Sequence, residues 1–281
     1  MKSIKLLSVL TLGISVSLFS TVVASASPIV NYSKLQNYDV AEKKQDLSKE
    51  EILKSMPDYN PKLEAEYKFN YDNLKDLEKE AKESPEPPTL EEMKSVTSST
   101  YNNLTLQGGP LVELARTEIK LQLISPMEVY GLNYSANMLN WSLQDNPGTY
   151  TRLSNSGFST DLKNTVKIQN ILDAFKTKLS SVSGTSYSVN NSVGLTTSNS
   201  TQDFYLALHN VNYEIAANKS NGRWDIQMYI TDNYDFAYQN ITSASGFKSA
   251  FVRIVNNYAQ YYQTYGAIVP YNVRIFINDS K

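Results

Sequence analysis

Residues 211–230 read VNYEIAANKSNGRWDIQMYI, and this stretch decides the fold predicted for the chain. Apolar and polar side chains alternate on both sides of the turn sequence Asn218–Gly222, a pattern typical of two antiparallel strands joined by a hairpin. Val273, Ile275 and Ile277 alternate in the same way and predict a last strand. Helical spacing dominates before the hairpin. The sequence therefore predicts an α+β fold, with N-terminal helices followed by an antiparallel sheet and one long helix in the C-terminal half.

Four stretches carry the helical pattern. Gly108-Gly109-Pro110 opens the first, and Ser125-Pro126 is expected to end it. The third, with Thr160 as its cap, has the clearest apolar face, and the fourth follows Gly246 and ends at Gly266. The second and third helices span residues 134–143 and 161–179, and the apolar face of the third consists of Ile168, Ile171, Leu172, Phe175 and Leu179.

Residues 181–202, rich in Ser, Thr and Asn, are expected to form a loop or an exposed hairpin, and the strand pattern is expected to begin at Phe204.

The first 26 residues have the three parts of an export signal. Lys2 and Lys5 precede an apolar run from Leu6 to Val23, and Ala24-Ser25-Ala26 supplies the small residues of a cleavage site. We expect cleavage after Ala26. The alternative is an uncleaved membrane anchor, for which the apolar run is barely long enough. No later stretch is long and apolar enough to cross a bilayer, so we predict a secreted, extracellular protein without a transmembrane anchor after cleavage.

Residues 27–103 are predicted to be a charged, partly helical arm or linker, and residues 104–281 an α+β globular module. The stretch from Asp39 to Lys94 holds 16 acidic and 10 basic residues. Ser48 with Glu51 forms a capping-box pattern, and residues 71–82 have helical spacing. The arm is interpreted as a solvated spacer or pro-segment that could be removed without unfolding the rest; an inhibitory pro-region or a partner-binding helix pair is the alternative.

Composition excludes several classes of function. The formal net charge of −2 provides no electrostatic attraction for nucleic acid. The chain has no cysteine, which excludes disulfides, thiolate metal sites and a cysteine nucleophile. An exported protein without cysteine is typical of a Gram-positive bacterium. No phosphate-binding P-loop, dinucleotide fingerprint, nucleophile elbow or H-E-x-x-H zinc motif is present.

Four residues are candidates for chemistry. Asp232 and Asp235, three residues apart at the end of a strand, could together hold a hard cation such as Mg²⁺. Tyr234 could orient a phosphate oxygen or donate a proton, and His209, the one histidine, could act as a general base near neutral pH. The alternative is structural: both aspartates cap backbone N–H groups in a turn, and His209 is a polar residue at the end of a strand.

The segment Asp232-Asn233-Tyr234-Asp235-Phe236, preceded by a hairpin and by Asp203–Leu208 as a strand, resembles the catalytic module of the colicin M-type bacteriocins. Similar segments end some bacterial polymorphic toxins. The resemblance covers residues 201–277 and implies a Mg²⁺-assisted hydrolase that cuts the undecaprenyl–pyrophosphate linkage of lipid II. The family's motif continues with a His-Arg pair, whereas this chain has Gln239-Asn240-Ile241-Thr242 there.

Two functions are consistent with these features. The first is a secreted bacterial toxin-like module, a metal-assisted hydrolase of a phosphate-containing cell-envelope precursor. The alternative is a non-catalytic secreted module that binds an envelope component or a partner protein. The 20 tyrosines would suit such a surface, because tyrosine offers a rigid apolar face with a polar tip.

Overall fold

The computed structural model describes residues 47–84, 86–88, 109–236, 257 and 259–281. Several predicted features lie outside these residues: the export signal, the domain boundary at 103/104 and the first part of the helix after Gly246. The helices are α1 (Lys49–Ser55), α2 (Glu64–Glu83), α3 (Gly109–Ile119), α4 (Ser125–Val129), α5 (Asn133–Trp141), α6 (Gly157–Lys163), α7 (Val166–Leu179) and α8 (Gln202–Leu208), and residues 259–264 are also helical. The strands are β1 (Tyr150–Arg152), β2 (Ser186–Gly194), β3 (Asn210–Ser220), β4 (Arg223–Tyr234) and β5 (Tyr271–Ser280).

The described strands form one five-stranded sheet in the order β1-β5-β4-β3-β2. The predicted hairpin is present as β3 and β4, with Ile215 opposite Met228. β5 pairs antiparallel with β4, as its alternation predicted, but on its other side it pairs parallel with the short strand β1. The α+β class is confirmed, and the sheet is mixed because β1, which the sequence did not predict, adds a parallel edge.

The main core lies on one face of the sheet. Every second residue of a strand points to the same face, so the apolar positions of β3, β4 and β5 combine into one surface. Helix α7 covers that surface, and the five apolar residues predicted for its face are all buried. The predicted third helix is in fact two helices, because Asn164 and Thr165 interrupt it between α6 and α7.

A second, smaller core joins α3, α4, α5 and residues 259–268. The expectation that Ser125-Pro126 ends the first helix is wrong. Residues Lys120–Ile124 widen into a π-helical turn, in which the Ser125 N–H donates to the Lys120 carbonyl. The helix continues as α4, with Pro126 near its start, where a missing N–H is tolerated.

The opposite face of the sheet is partly covered by α2 from the charged arm. Helix α2 packs against β2, β3 and β4. Its buried positions are Tyr67, Tyr71, Leu74 and Glu78, one narrow stripe at helical spacing. Helix α1 packs against α7 and starts with the predicted capping box of Ser48 and Glu51. These contacts argue against a solvated spacer in residues 49–83. The division of the chain at 103/104 stays a prediction.

Two local predictions after residue 181 are wrong. Asp203–Leu208 lies in helix α8 rather than in a strand, and the Thr201 side chain caps that helix by accepting from the Phe204 N–H. The Ser- and Asn-rich stretch contains β2, a full strand of the sheet that pairs antiparallel with β3. Among the described residues, no helix is long and apolar enough to cross a membrane.

Candidate functional site

Asp232 lies on the core face of β4, within the strand rather than after it. The other β4 residues on this face are buried and apolar or aromatic, whereas Asp232 is a half-buried carboxylate. Placing an acid on such a face costs free energy, because a charge loses hydration there. An acid in this position is therefore a candidate for chemistry. The buried residues that share its face are Trp224, Ile226, Met228, Ile230 and Tyr234.

Tyr234, two residues further on, is packed between aromatic rings. Its ring stacks on Tyr271 with centroids 4.8 Å apart and meets the edge of Phe236 at 5.2 Å. The Tyr271 hydroxyl donates to the Met138 carbonyl at 2.7 Å. Burial raises the pKa of Tyr234 well above its ordinary value. A tyrosine is neutral near pH 7 even at its ordinary pKa, and the raised pKa of Tyr234 makes loss of the proton still less favourable, so its hydroxyl is suited to donating a hydrogen bond.

Asp235 is exposed and follows the end of β4. The Asn233 side chain belongs to the opposite face of β4 from Asp232, and its Nδ2 donates to Asp235 Oδ2 at 3.2 Å. On the other side, Asp232 Oδ1 accepts from the Asn233 N–H at 2.8 Å. This arrangement does not favour one cation held by both carboxylates. Within the described ranges, no group of three or more His, Asp or Glu side chains could hold a metal ion.

His209 lies at the same end of the sheet as Asp232. It ends α8 with a φ of 28°, and β3 begins at the next residue, close to the end of β4 in the antiparallel register. The ring meets the edge of Tyr205 at 5.0 Å. Desolvation lowers the pKa of His209. Because the residue is exposed, we expect this effect to be small. His209 is thus a junction residue between helix and strand, not the end of a strand as predicted.

Asp203, the first acid of the stretch around His209, has a structural role. Its carboxylate accepts from the backbone N–H groups of Tyr134 at 2.9 Å and Ser135 at 2.7 Å, and from the Ser135 hydroxyl at 2.6 Å. These are donors of the first turn of α5, which lack partners within their own helix. Asp203 therefore caps α5 across 68 residues of sequence and ties it to α8.

Arg152 was not predicted as a site residue. It is buried on the core face of β1, with its guanidinium 4.4 Å from the centre of the Tyr150 ring. Its Nη2 donates to the Tyr150 hydroxyl at 2.5 Å and to Asn137 Oδ1 at 3.3 Å. Burial raises the pKa of Tyr271; the charge of Asp232 raises it further, and the charge of Arg152 lowers it. The sequence did not predict Arg152 because a strand of three residues is too short to be recognised by alternation. The one signal in the sequence was an isolated basic residue after Tyr150.

The outer face of the sheet has a shallow depression over β2, β3 and β4. Its volume is about 390 Å³. Amide and hydroxyl groups predominate, and the Tyr229 ring adds an aromatic surface 5.0 Å from Phe276. Burial raises the pKa of Glu214 at its floor. The lining consists of Asn190, Asn191, Ser192, Asn212, Tyr213, Glu214, Tyr229 and Thr231.

Comparison with known proteins gives weak structural matches. No protein-family model and no curated protein matches the chain. The solved structures that resemble it include truncated bacteriocin syringacin M from Pseudomonas syringae pv. tomato DC3000, with 15% identity over 54% of this chain and 60% of that one, at a TM-score of 0.28. PaeM, a colicin M-like bacteriocin produced by Pseudomonas aeruginosa, matches with 17% identity over 53% of this chain and 50% of that one, also at 0.28.

A further structure of syringacin M matches with 12% identity over 61% of this chain and 85% of that one, at a TM-score of 0.25. The chain thus spans 60% and 50% of the first two matched chains. Similarity at this level is a weak structural resemblance to colicin M-like bacteriocins and carries no argument about activity.

Proposed function

We propose that the chain is a secreted, toxin-like bacterial protein that hydrolyses a phosphate-containing precursor of the cell envelope. The observation that carries the proposal is Asp232, a carboxylate near the end of β4 on a face of that strand that is otherwise apolar and aromatic. Residues that cost stability in this way are concentrated at functional sites. The sequence resemblance at Asp232, Tyr234 and Asp235 suggests the chemistry.

The described residues would take separate roles at one end of the sheet. Tyr234 would donate a hydrogen bond to a phosphate oxygen through its hydroxyl, which is protonated near pH 7 as in any tyrosine. His209, with its pKa lowered, would be the base that accepts a proton from the attacking water. The water oxygen would bond to phosphorus as the bond to the leaving oxygen breaks. Asp235 is given no role in this arrangement, because its carboxylate accepts from the Asn233 side chain, which belongs to the opposite face of β4 from Asp232.

Asp232 is the residue through which the protein would bind Mg²⁺. A Mg²⁺ ion in proteins usually keeps several waters and is bound by one or two carboxylates together with substrate phosphates, so Asp232 alone fits as its protein ligand. The chemistry that the ion would supply is neutralisation of charge on the phosphate oxygens.

The test is hydrolysis of a polyprenyl-pyrophosphate-linked envelope precursor by the secreted protein, with and without Mg²⁺, followed by mass spectrometry of the products. Asp232→Asn should lower the rate by about 100-fold or more, whereas Asp235→Asn should leave it near the wild-type rate. Unchanged activity in Asp232→Asn would rule out the proposed site. If millimolar Mg²⁺ raises the melting temperature of wild type but not that of Asp232→Asn, the result would support Mg²⁺ binding at Asp232.

The outer depression favours a second candidate, a non-catalytic module that binds an envelope component. Its volume lies at the lower end of the range of small-molecule sites, about 300–1,000 Å³, and amides, hydroxyls and an aromatic ring suit an uncharged polar ligand such as a sugar. If this candidate is right, Tyr229→Ala should weaken binding to purified cell-wall fragments and Asp232→Asn should not. Hydrolysis by wild type that depends on Asp232 would exclude it.

A further inference from the structure

A short strap from the charged arm covers the buried guanidinium of Arg152. The strap consists of Glu86, Pro87 and Pro88. Arg152 Nη1 donates to the Pro87 carbonyl at 3.0 Å and lies 3.6 Å from Glu86 Oε2. The other carboxylate oxygen, Glu86 Oε1, accepts from the Leu153 N–H at 3.1 Å. Asn137 Nδ2 donates to the Pro88 carbonyl at 3.1 Å.

The strap presents only oxygen atoms to these donors. Pro87 and Pro88 have no backbone N–H, so their contribution is two carbonyl acceptors. With the two oxygens of Glu86, four acceptors converge on a guanidinium, a backbone N–H and a side-chain amide. An arginine fork beside a backbone N–H is a donor set that binds phosphate and carboxylate groups elsewhere in proteins.

The donors are also fixed in place before any ligand arrives. Arg152 is 7% exposed, and its Nη2 is held by Asn137 and Tyr150. Its Nε is buried and has no hydrogen-bond partner within the described part of the chain. A buried guanidinium with one nitrogen unsatisfied has capacity for a ligand that brings more acceptor oxygens than Glu86 does.

We propose that Arg152, the Leu153 N–H and Asn137 form a binding site for a phosphate group, which the chain fills here with its own Glu86. The site takes either a free phosphate or the phosphate of a lipid. It does not depend on the proposed hydrolysis at Asp232, because binding requires no catalytic residue. The strap then competes with the ligand for the site. The apparent affinity of wild type for phosphate equals the intrinsic affinity multiplied by the fraction of molecules in which the strap is not bound.

The test compares phosphate binding by wild type, Glu86→Gln and Glu83→Gln at matched ionic strength. Calorimetry with inorganic phosphate gives the affinity, and the NMR signal of the Arg152 Nε–H reports the site directly. Glu86→Gln keeps an acceptor oxygen for Leu153 but removes the competing charge, so its affinity should rise roughly tenfold if the strap occupies the site in about nine molecules of ten. Glu83→Gln, an exposed acid at the end of α2, should behave as wild type.

Arg152→Lys in the Glu86→Gln background keeps the charge and loses the fork, so it should weaken phosphate binding again. Flotation with phosphatidylcholine vesicles distinguishes the two sources of phosphate. If the protein floats only with vesicles that also contain phosphatidic acid, the site binds a lipid phosphate. If it binds inorganic phosphate but floats with neither kind of vesicle, the site binds free phosphate. If Glu86→Gln is folded and binds neither, or if phosphate leaves the Arg152 Nε–H signal unmoved, the site as proposed is wrong.

Discussion

Asp232 on β4 and Tyr150 on β1 lie on either side of Val273, each directly opposite it in the sheet. Both side chains therefore point to the core face, two strand spacings apart, about 10 Å between their backbones. Arg152 is two residues along β1 on the same face. The acid that the sequence singled out and the arginine that it did not are thus placed on one surface by the position of β5 between β1 and β4.

The first prediction concerns the stability cost of Asp232. Asp232→Val should raise the free energy of unfolding by about 0.5–2 kcal/mol, because it replaces a half-buried carboxylate with an apolar β-branched residue in a strand. The same change should abolish activity or the Mg²⁺-linked thermal shift. Urea unfolding measures the first effect. Asp235→Val changes an exposed position and is the control; it should not raise the free energy of unfolding. If Asp232→Val instead lowers the free energy of unfolding, the Asp232 carboxylate is a structural cap.

The second prediction concerns the arm. Leu74 on α2 is 1% exposed and packs between the helix and the outer face of the sheet. Leu74→Ala should lower the free energy of unfolding by about 2–5 kcal/mol, and the whole protein should still unfold in one transition. Phe69 is on the same helix but 67% exposed, so Phe69→Ala should have little effect. Equal melting temperatures for Leu74→Ala and wild type would restore the interpretation of the arm as a spacer.

The third prediction concerns Gly184, which lies beneath the start of α2. A Cβ at this position would come within 2.1 Å of the Tyr59 hydroxyl and 2.2 Å of Glu64 Oε2. Glu64 also accepts from the N–H groups of Thr185 and Ser186, both at 2.8 Å, and so joins α2 to the start of β2. Gly184→Ala should therefore break this junction and destabilise the protein by about 1–3 kcal/mol.

The control for this change is Gly157→Ala. Nothing lies within 4 Å of a Cβ at that position, at the start of α6. Alanine there should be neutral or slightly stabilising, because it favours the helix and restricts the unfolded chain. Thermal melts of the two variants side by side give the comparison, and similar melting temperatures would show that the Glu64 junction adjusts without cost.

The fourth prediction concerns acid stability. Burial raises the pKa of Asp279, but hydrogen bonds from Lys176, the Ser280 backbone N–H and Lys163 outweigh it, and the net pKa is lowered. A lowered carboxylate pKa stabilises the folded state above the unfolded value of 3.8, and this stabilisation is lost as the pH falls below that value. Asp279→Asn should therefore be less stable than wild type at about pH 5, with a smaller difference at about pH 3.

Urea unfolding at the two pH values measures this difference. Asp58, paired with Lys178 but with a 99% exposed side chain, is the matched control. Asp58→Asn should change stability little at either pH, because solvent screens an exposed pair. The free energies of unfolding of Asp279→Asn and wild type should become more similar on acidification. If their difference stays constant or grows instead, the pKa of Asp279 is not lowered in the folded protein.

The parts of the fold that were predictable have patterns long enough to be unambiguous. The hairpin of β3 and β4 and the buried face of α7 each extend over several periods, so periodicity alone defined them. Asp203–Leu208 is too short for that. Its apolar run suits a strand or a helix equally, and the cap at Thr201 was the local signal for a helix.

β2 and β1 were missed for different reasons. In β2 the apolar residues Tyr187, Val189 and Val193 do alternate, but Ser and Asn between them suggest a loop, and pairing with β3 overrides that preference. β1 has three residues, and its existence depends on β5, far away in sequence. The same holds for the site: Asp232 and Tyr234 could be selected as neighbours on a strand, whereas Arg152 and the strap come together only through the sheet order.

That order has a consequence for how the chain is made. Among the described strands, β5 is the last to be synthesised, yet it lies between β1 and β4. Until it leaves the ribosome, β4 has an open edge and β1 has no neighbour to join. Strand pairing between distant segments is slow, and the nascent chain therefore stays without its described sheet until β5 has been synthesised. In a chain of this design, the described sheet can close only after β5 has arrived.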